Sequence, residues 1–523
     1  MVSKLSTTPP MPATLHTPPL THTSISRLPV ETLSEIFSYL PYFEDTPVTN
    51  APHWSPLLHV CRWWRQVAFD CRDLWRTVPI GCTEWTEMAL ERSKPGPIKI
   101  VITARERDHQ TILGPASRIA ARQACRAQEI ILGERPISGD GFIASMRAGF
   151  MDQTAPNLTK LECVGYGMSH PRLFNGGPLP RLQSLSLSIC VTHVQCPVFS
   201  APLTSLFLDE CEFRHSSWAF LSALALLPTL EHLFIKLLSF TDPPTADHPL
   251  VNLPHLKRLE LTDVHTSLLE IARSVAPPRD AYVQLSCLHT GGAMTIRDLT
   301  RSLASVLARH FGTASSAEAA GETWTIDVKR GGRDEPQSVQ SFVMSLSLNA
   351  TAHPNGPLTE KMAVAFNWSG DFAASPTLPQ LVAMFPLTHI ASTVHFIVTE
   401  ECTASADDWT ALRDLIPSVK HITATRTAAC FLLEVLRSPA PAPAPVAFPR
   451  LGEICVANID FVAAENAPRF EALLEALDAI GHDENRKLVV VALVGCVFAP
   501  GMTDRLMKFQ ERKKVFWEKG LFD

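Results

Sequence analysis

With 523 residues the chain is too long for one compact core, so several domains or a repeating architecture are expected. A hydrophobic content of 46% and a net charge of −6 fit a soluble globular protein and argue against a mainly electrostatic nucleic-acid binder. The 13 cysteines contain no C-x-x-C, and the nearest two, Cys190 and Cys196, stand six apart. Reduced thiols in the cytoplasm or nucleus are therefore expected, rather than a disulfide framework or zinc site.

Residues 1–24 are rich in Thr, Pro and Ser without an apolar run, which predicts a disordered tail and no signal peptide. The longest apolar run, Leu488 to Ala499, is about half of what a membrane span needs, so no membrane segment is expected. From Ile25 onward the pattern is helical. Pro29 suits a helix start and Glu31 lies in its first turn, where negative charge favours the dipole. Leu33, Ile36, Phe37 and Leu40 then recur at i, i+3, i+4 and i+7, and Pro41 ends the helix. A second stripe follows at Leu57, Val60, Cys61, Trp64, Val67 and Ala68, with Leu74-Trp75 as a further anchor. Such a short unit buries little core alone; it packs on the rest of the chain or offers apolar surface to a partner.

Leu28-Pro29, the helix Leu33…Ile36-Phe37…Leu40, Val60-Cys61-Arg62…Trp64-Arg65 and Leu74-Trp75 together resemble an F-box of the form found in many fungal F-box proteins. Two departures are visible: the segment from Pro41 to His53 is longer than in a compact F-box, and Trp63-Trp64 doubles the usual single tryptophan. The resemblance implies a three-helix module that docks on a Skp-family adaptor and through it joins a cullin–RING ubiquitin ligase. On that resemblance Leu28, Pro29, Leu33, Ile36, Leu40, Val60, Cys61 and Trp64 form or support the adaptor-binding surface.

Downstream, Trp85 to Ser93 reads as helical and Pro95-Gly96-Pro97 as its stop. Ile98 to Ile102 reads as the first strand and Gln128 to Leu132 as the next. Then a repeat sets in. Leu158-x-x-Leu161-x-Cys163 is followed by Leu182-x-x-Leu185-x-Leu187, Leu203-x-x-Leu206-x-Leu208, Leu230-x-x-Leu233-x-Ile235 and Leu256-x-x-Leu259-x-Leu261, at steps of 24, 21, 27 and 26. A proline precedes each copy, at 156, 180, 202, 228 and 254. Period and pattern resemble leucine-rich repeats, whose strands bury their leucines against neighbouring copies. From Pro277 to Ala373 the phase is lost, although Tyr282 to Leu288, Thr323 to Val328, Ser341 to Leu348 and Met362 to Trp368 read as strands and Ile296 to Phe311 as a helix. Irregular units resume at Leu381 to Phe385, Val394 to Val398 and Val419-x-x-Ile422. Better copies close the series at Leu451-x-x-Ile454-x-Val456 and Leu488-x-x-Val491-x-Leu493, with an amphipathic helix, Phe470 to Ile480, between them. Residues 503–519 read as a charged helix.

No catalytic constellation emerges. Gly139-x-Gly141-x-x-Ala144 stands six residues from the nearest strand, whereas a dinucleotide turn follows its strand directly. Glu400, Glu401, Asp407 and Asp408 read as caps or solvating charges around the helix Trp409 to Leu415, and His395 as a packed core residue. A binding face is the sharper expectation. The residues between the buried leucines point outward, and among them Phe207 and Phe234, flanked by His232 and Arg258, form a candidate substrate-binding anchor, since aromatic and arginine side chains dominate interface hot spots.

The expected fold is α+β overall: a disordered tail (1–24), a small all-α F-box-like domain (25–80), an irregular α/β leucine-rich-repeat solenoid (95–500, clearest over 156–265) and a C-terminal capping helix (501–523). The expected function is non-catalytic, without cofactor or metal: the substrate-recognition subunit of a cullin–RING ligase, binding an adaptor and a protein substrate but neither nucleic acid nor membrane. A second reading keeps the repeats as an interaction scaffold and gives the F-box no ligase to recruit.

Overall fold

The computed structural model describes residues 28–40, 51–102, 110–132, 149–165, 171–241, 250–289, 306, 323–330, 341–351, 359–369, 378–382, 393–398, 405–437, 448–463, 467–482 and 490–512, apart from 81 and 279. The tail, the Gly139–Gly141 turn, all of the expected helix 296–311 but Val306, and Glu400 and Glu401 lie outside the described residues.

The N-terminal unit consists of α1 (Val30–Tyr39), α2 (Leu57–Val60), α3 (Arg62–Asp70) and a 3-10 turn, Arg72–Trp75. The second apolar stripe is not one helix. Cys61 interrupts it with an extended backbone (φ −160°, ψ 172°), and its Sγ accepts the Trp64 N–H as the N-cap of α3. Apolar spacing runs on across the break, so periodicity could not locate it. The core of the unit is aromatic: Trp75 is fully buried, donates from Nε1 to Ala68 O at 2.7 Å, and meets Trp54 edge-on at 4.8 Å. It also stacks on Phe69 and on Trp85 of α4 (Thr83–Arg92), with centroids at 6.0 and 6.2 Å.

This unit runs straight into a sheet. β1 (Thr77–Val78) pairs in parallel with β2 (Ile98–Ile102), so Ile98–Ile102 is not the first strand. A two-residue strand is too short to carry a period of its own. Around the junction Lys99 N donates to Arg76 O, the Arg76 guanidinium to Gln128 Oε1, and Arg126 to Ser93 Oγ and Gly96 O at the end of α4. α5 (Gln110–Ala121), with Pro115 inside it, leads to β3 (Ala127–Leu132).

The five motif copies lie on β4 (Lys160–Val164), β5 (Ser184–Ser188), β7 (Ser205–Asp209), β9 (His232–Lys236) and β12 (Arg258–Val264). They pair in parallel and in register, so that Leu161, Leu185, Leu206, Leu233 and Leu259 form one ladder. Every leucine, isoleucine or cysteine of the motif is at most 2% exposed. Burying a leucine contributes about 2 kcal/mol, which explains why each strand needs the next. Short strands flank the ladder: β6 (Val191–Thr192), β8 (Glu212–Phe213) and β10 (Ser239–Phe240) form one small sheet, β11 (Val251–Asn252) and β13 (Val275–Ala276) another. The turn after β4, β5, β7 and β9 repeats as well. Gly165, Ile189, Glu210 and Leu237 all take positive φ, and each donates its N–H to the end of the next strand at 2.8 Å.

Beyond β14 (Tyr282–His289) the parallel order is interrupted. β15 (Thr323–Arg330), β16 (Ser341–Thr351) and β17 (Thr359–Ser369) form an antiparallel meander, joined to β14 through β17 and to β18 (Thr393–Val398) through β15. Here lies the loss of phase. Of the unit expected at Leu381 to Phe385, Leu381 and Val382 belong to a helix, Leu378–Val382, since a short apolar run fits either period, and residues 383–385 lie outside the described residues. β19 (His421–Thr425), β20 (Glu453–Ala457) and β21 (Val490–Val494) restore the parallel order. The open 16-stranded sheet thus runs β1-β2-β3-β4-β5-β7-β9-β12-β14-β17-β16-β15-β18-β19-β20-β21. The helices Ala406–Leu415, Arg426–Arg437, Ala467–His482 and Pro500–Arg512 accompany its C-terminal strands. Asp408 closes a capping box with Ser405 at the first of these, as expected of that acidic group. Among the described residues no helix is long and apolar enough to cross a membrane.

Candidate functional site

Two outward surfaces matter, one on the helical unit and one on the sheet at β7, β9 and β12. On the helical unit, Leu33 and Phe37 turn inward at 1% exposure. Leu33 therefore belongs to the unit's core and not to an outward surface, a correction to its expected place among adaptor contacts. Of the remaining candidates, Pro29, Ile36, Val60 and Cys61 are exposed, while Leu28, Leu40 and Trp64 are half-buried. The tryptophan doublet divides its roles: Trp64 packs edge-on against Phe37 at 5.4 Å, and Trp63 faces outward. That contact sets the start of α3 beside the C-terminal half of α1. Val30, Ile36, Tyr39, Val60 and Trp63 lie between 39% and 58% exposed, an unusual concentration of large apolar side chains for so short a unit. Tyr39, Val30 and Trp63 were not among the sequence candidates; exposure alone distinguishes them. His53 Nε2 meets Leu40 O at 3.0 Å and so ties the two ends of the long α1–α2 connection together.

The second surface is the outward face of the sheet. Its middle row, in register, reads Glu162, Ser186, Phe207, Phe234, Glu260 and Gln284. Phe207 and Phe234 stack face to face, with centroids 4.3 Å apart and planes 7° from parallel. Both are half-buried and on the outer face. His232, in the row below, is exposed. Arg258 binds Glu260 and lays its guanidinium over the Tyr282 ring at 4.8 Å. The four residues singled out from the sequence thus share one patch, though Arg258 turns toward Tyr282 and Glu260. In the row above, Lys236 pairs with Asp209 at 3.1 Å, and at the lower rim Lys257 binds Glu231 at 2.8 Å, holding that carboxyl below its usual range.

Farther along the same face, His395 and His421 stack at 4.4 Å and 8°, and His421 Nδ1 meets Glu453 Oε2 at 2.8 Å. Burial and the adjacent His421 ring hold His395 below the usual imidazole range. His395 is thus half-buried on the outer face and not in the core, since it is Phe396 and Val398 that point inward. The cysteines have a different role. Cys190 donates its S–H to Gly165 O at 2.8 Å and Cys211 to Leu187 O at 3.3 Å, each satisfying a carbonyl of the preceding repeat. The Cys163 thiol beside it and burial push Cys190 up; burial pushes Cys196 and Cys211 up to about 12. Such thiols are poor nucleophiles and poor metal ligands. Among the described residues no group of three or more His, Cys, Asp or Glu side chains is placed to hold a metal ion.

Comparison with known proteins bears on the helical unit. The F-box-like family matches residues 25–80, an interval that spans the three helices, the 3-10 turn and β1. An F-box-like domain is therefore present at the N-terminal end of the sheet, and F-box-like domains suggest adaptor binding in ubiquitin ligases. No curated protein matches the chain.

Proposed function

We propose that this protein is the substrate-recognition subunit of an SCF-type cullin–RING ubiquitin ligase. The F-box-like unit binds a Skp-family adaptor, and the sheet holds a protein substrate. One observation carries the reading: the aromatic core of the F-box-like unit is closed by Trp85 of α4, and Val30, Ile36, Tyr39, Val60 and Trp63 still face outward. A helical unit with a finished core has no internal use for that surface, and burying it on a partner contributes on the order of 25 cal/mol per Å². Pro29, Ile36, Val60, Cys61 and Trp63 form the adaptor contact, with Leu28, Leu40 and Trp64 as supports.

The parallel in-register ladder, its recurring turn and its leucine period fit an irregular leucine-rich-repeat solenoid, with the antiparallel meander β15–β17 as an insertion. On this reading the outer face around Phe207, His232, Phe234 and Arg258 is the substrate surface. The protein performs no chemistry itself; it raises the local concentration of a substrate near a charged ubiquitin-conjugating enzyme. It works in the cytoplasm or nucleus, where its free buried thiols stay reduced.

The test is to recover the tagged full chain from eukaryotic cells and probe for the adaptor and the cullin, beside an Ile36→Asp/Val60→Asp variant. Both partners with the wild type and neither with the variant support the proposal. An interaction scaffold without a ligase recovers neither partner in either form.

A further inference from the structure

The aromatic stack on the outer face is unfinished on one side. Phe207 and Phe234 sit directly opposite each other on adjacent strands and stack with centroids 4.3 Å apart, so their ring normals run across the sheet. Beside Phe234, in register on the next strand, stands Glu260, whose side chain is 19% exposed and held by Arg258. The outer face of Phe207 looks across β5, and β5 carries Ser184, Ser186 and Ser188 there. All three are half-exposed, and their hydroxyls donate no hydrogen bond among the described residues. On the far side of β5, in register with Ser186, stands Glu162. Strands lie about 4.8 Å apart, so the gap from Glu162 to Phe207 is about 9–10 Å at the backbone, room for one flat group standing on Ser186.

The walls define the chemistry of that group. One is the negative π-face of Phe207; the other is the Glu162 carboxylate, while Asp209, diagonally placed on the strand of Phe207, is taken up by Lys236. Lys160 occupies Glu162 Oε2 at 3.2 Å, and among the described residues Oε1 accepts nothing. A neutral ring gains from the stack alone and an ammonium mainly from the carboxylate. A guanidinium gains from both, because it is planar and cationic. The chain builds this trio itself in two other places. Arg258 lies over Tyr282 while binding Glu260, and Arg505 lies over Phe470 at 5.6 Å while its two terminal nitrogens bind Glu471. At Ser186 the ring and the carboxylate are present, and among the described residues no guanidinium joins them.

We propose that the slot between Phe207 and Glu162, floored by Ser184, Ser186 and Ser188, binds an arginine side chain presented by a partner protein. This deepens the substrate-receptor reading and rests on it for the partner's identity as a substrate, although arginine binding stands independently of adaptor capture.

The experiment is a selection of random dodecapeptides on the immobilised full chain, followed by titration of the recovered peptides against variants. The proposal expects a shared arginine whose replacement by lysine weakens binding about fivefold or more. Ser186→Phe fills the slot with a third ring and is expected to weaken binding about tenfold or more; Glu162→Gln keeps the shape, removes the charge and costs about fivefold. Ser186→Thr retains binding, and circular dichroism melts verify that every variant folds. Peptides without arginine, no enrichment at all, or peptides that bind Ser186→Phe as tightly as wild type overturn the proposal. Adaptor capture by Ser186→Phe is measured in parallel. If it persists while the slot fails, the arginine assignment falls and the ligase reading stands; if adaptor capture alone fails, the reverse holds.

Discussion

Trp75→Ala is the sharpest test of how the helical unit and the sheet depend on each other. The Trp75 side chain is fully buried, and its indole N–H is bonded to Ala68 O. Its ring meets Trp54, Phe69 and Trp85, the last of these on α4, which leads into β2. Truncating a buried tryptophan costs about 3–5 kcal/mol, and the orphaned Ala68 carbonyl adds about 1 kcal/mol. A unit the size of the family match has on the order of 3–8 kcal/mol of its own at typical stability per residue, so the variant removes most of it. Because β1 is hydrogen-bonded to β2 and the Lys99 amide to Arg76 O, the loss is expected to pass into the sheet. Native-state hydrogen exchange on the full chain reads this residue by residue. Faster exchange is expected in α1–α3, at Lys99 and Val101, and less so in β3; β19–β21 should be unchanged. If α1–α3 melt while Lys99 keeps its wild-type protection, the helical unit is an independent domain and is not coupled to the sheet. A stability change under about 1 kcal/mol would refute the core assignment itself.

Four further outcomes follow from the turns and the cysteines. Glu210 is exposed and holds φ +51° in the recurring turn, so Glu210→Gly should stabilise the chain by about 0.5–1 kcal/mol in urea unfolding; destabilisation would mean the turn is not strained there. Gly495 takes the same turn at φ +61°, and a Cβ there would stand 2.5 Å from Asn458 Oδ1, so Gly495→Ala should cost about 1–3 kcal/mol, read in the same assay. Exposed Cys61 and Cys125 should react with a thiol reagent in the native state, whereas Cys190, Cys196 and Cys211 should react only on unfolding. The raised pKa values of Cys196 and Cys211 also give a sign. Stability from keeping these thiols protonated is complete below pH 9 and falls as pH rises toward about 12, so Cys211→Ala should flatten the alkaline limb of a stability–pH curve.

Much of this was legible in the residues. The leucine motif placed five strands and their inward faces, because a strand buried on one side must alternate and Leu161, Leu185, Leu206, Leu233 and Leu259 do so in phase. The same alternation put Phe207 and Phe234 on the outer face; only the register showed that they stack and that serines lie beside them. Other features had no local signal. The break at Cys61 hides inside unbroken apolar spacing, and β1 is too short for any periodicity. Positive φ at Ile189 and Leu237 is invisible where neither glycine nor asparagine marks it. His395 looked like core because its neighbours are apolar, yet its pairing partner across the strands is His421, which sequence distance conceals.

The central claim, that the outward apolar patch on the F-box-like unit recruits an adaptor, is tested most directly by calorimetric titration of purified Skp-family adaptor into the full chain. Wild type is expected to bind with a Kd of about 1 μM or tighter, and Ile36→Asp/Val60→Asp, equally folded because both side chains are exposed, about 100-fold more weakly. Equal binding by the two forms, or none by wild type, would contradict the account.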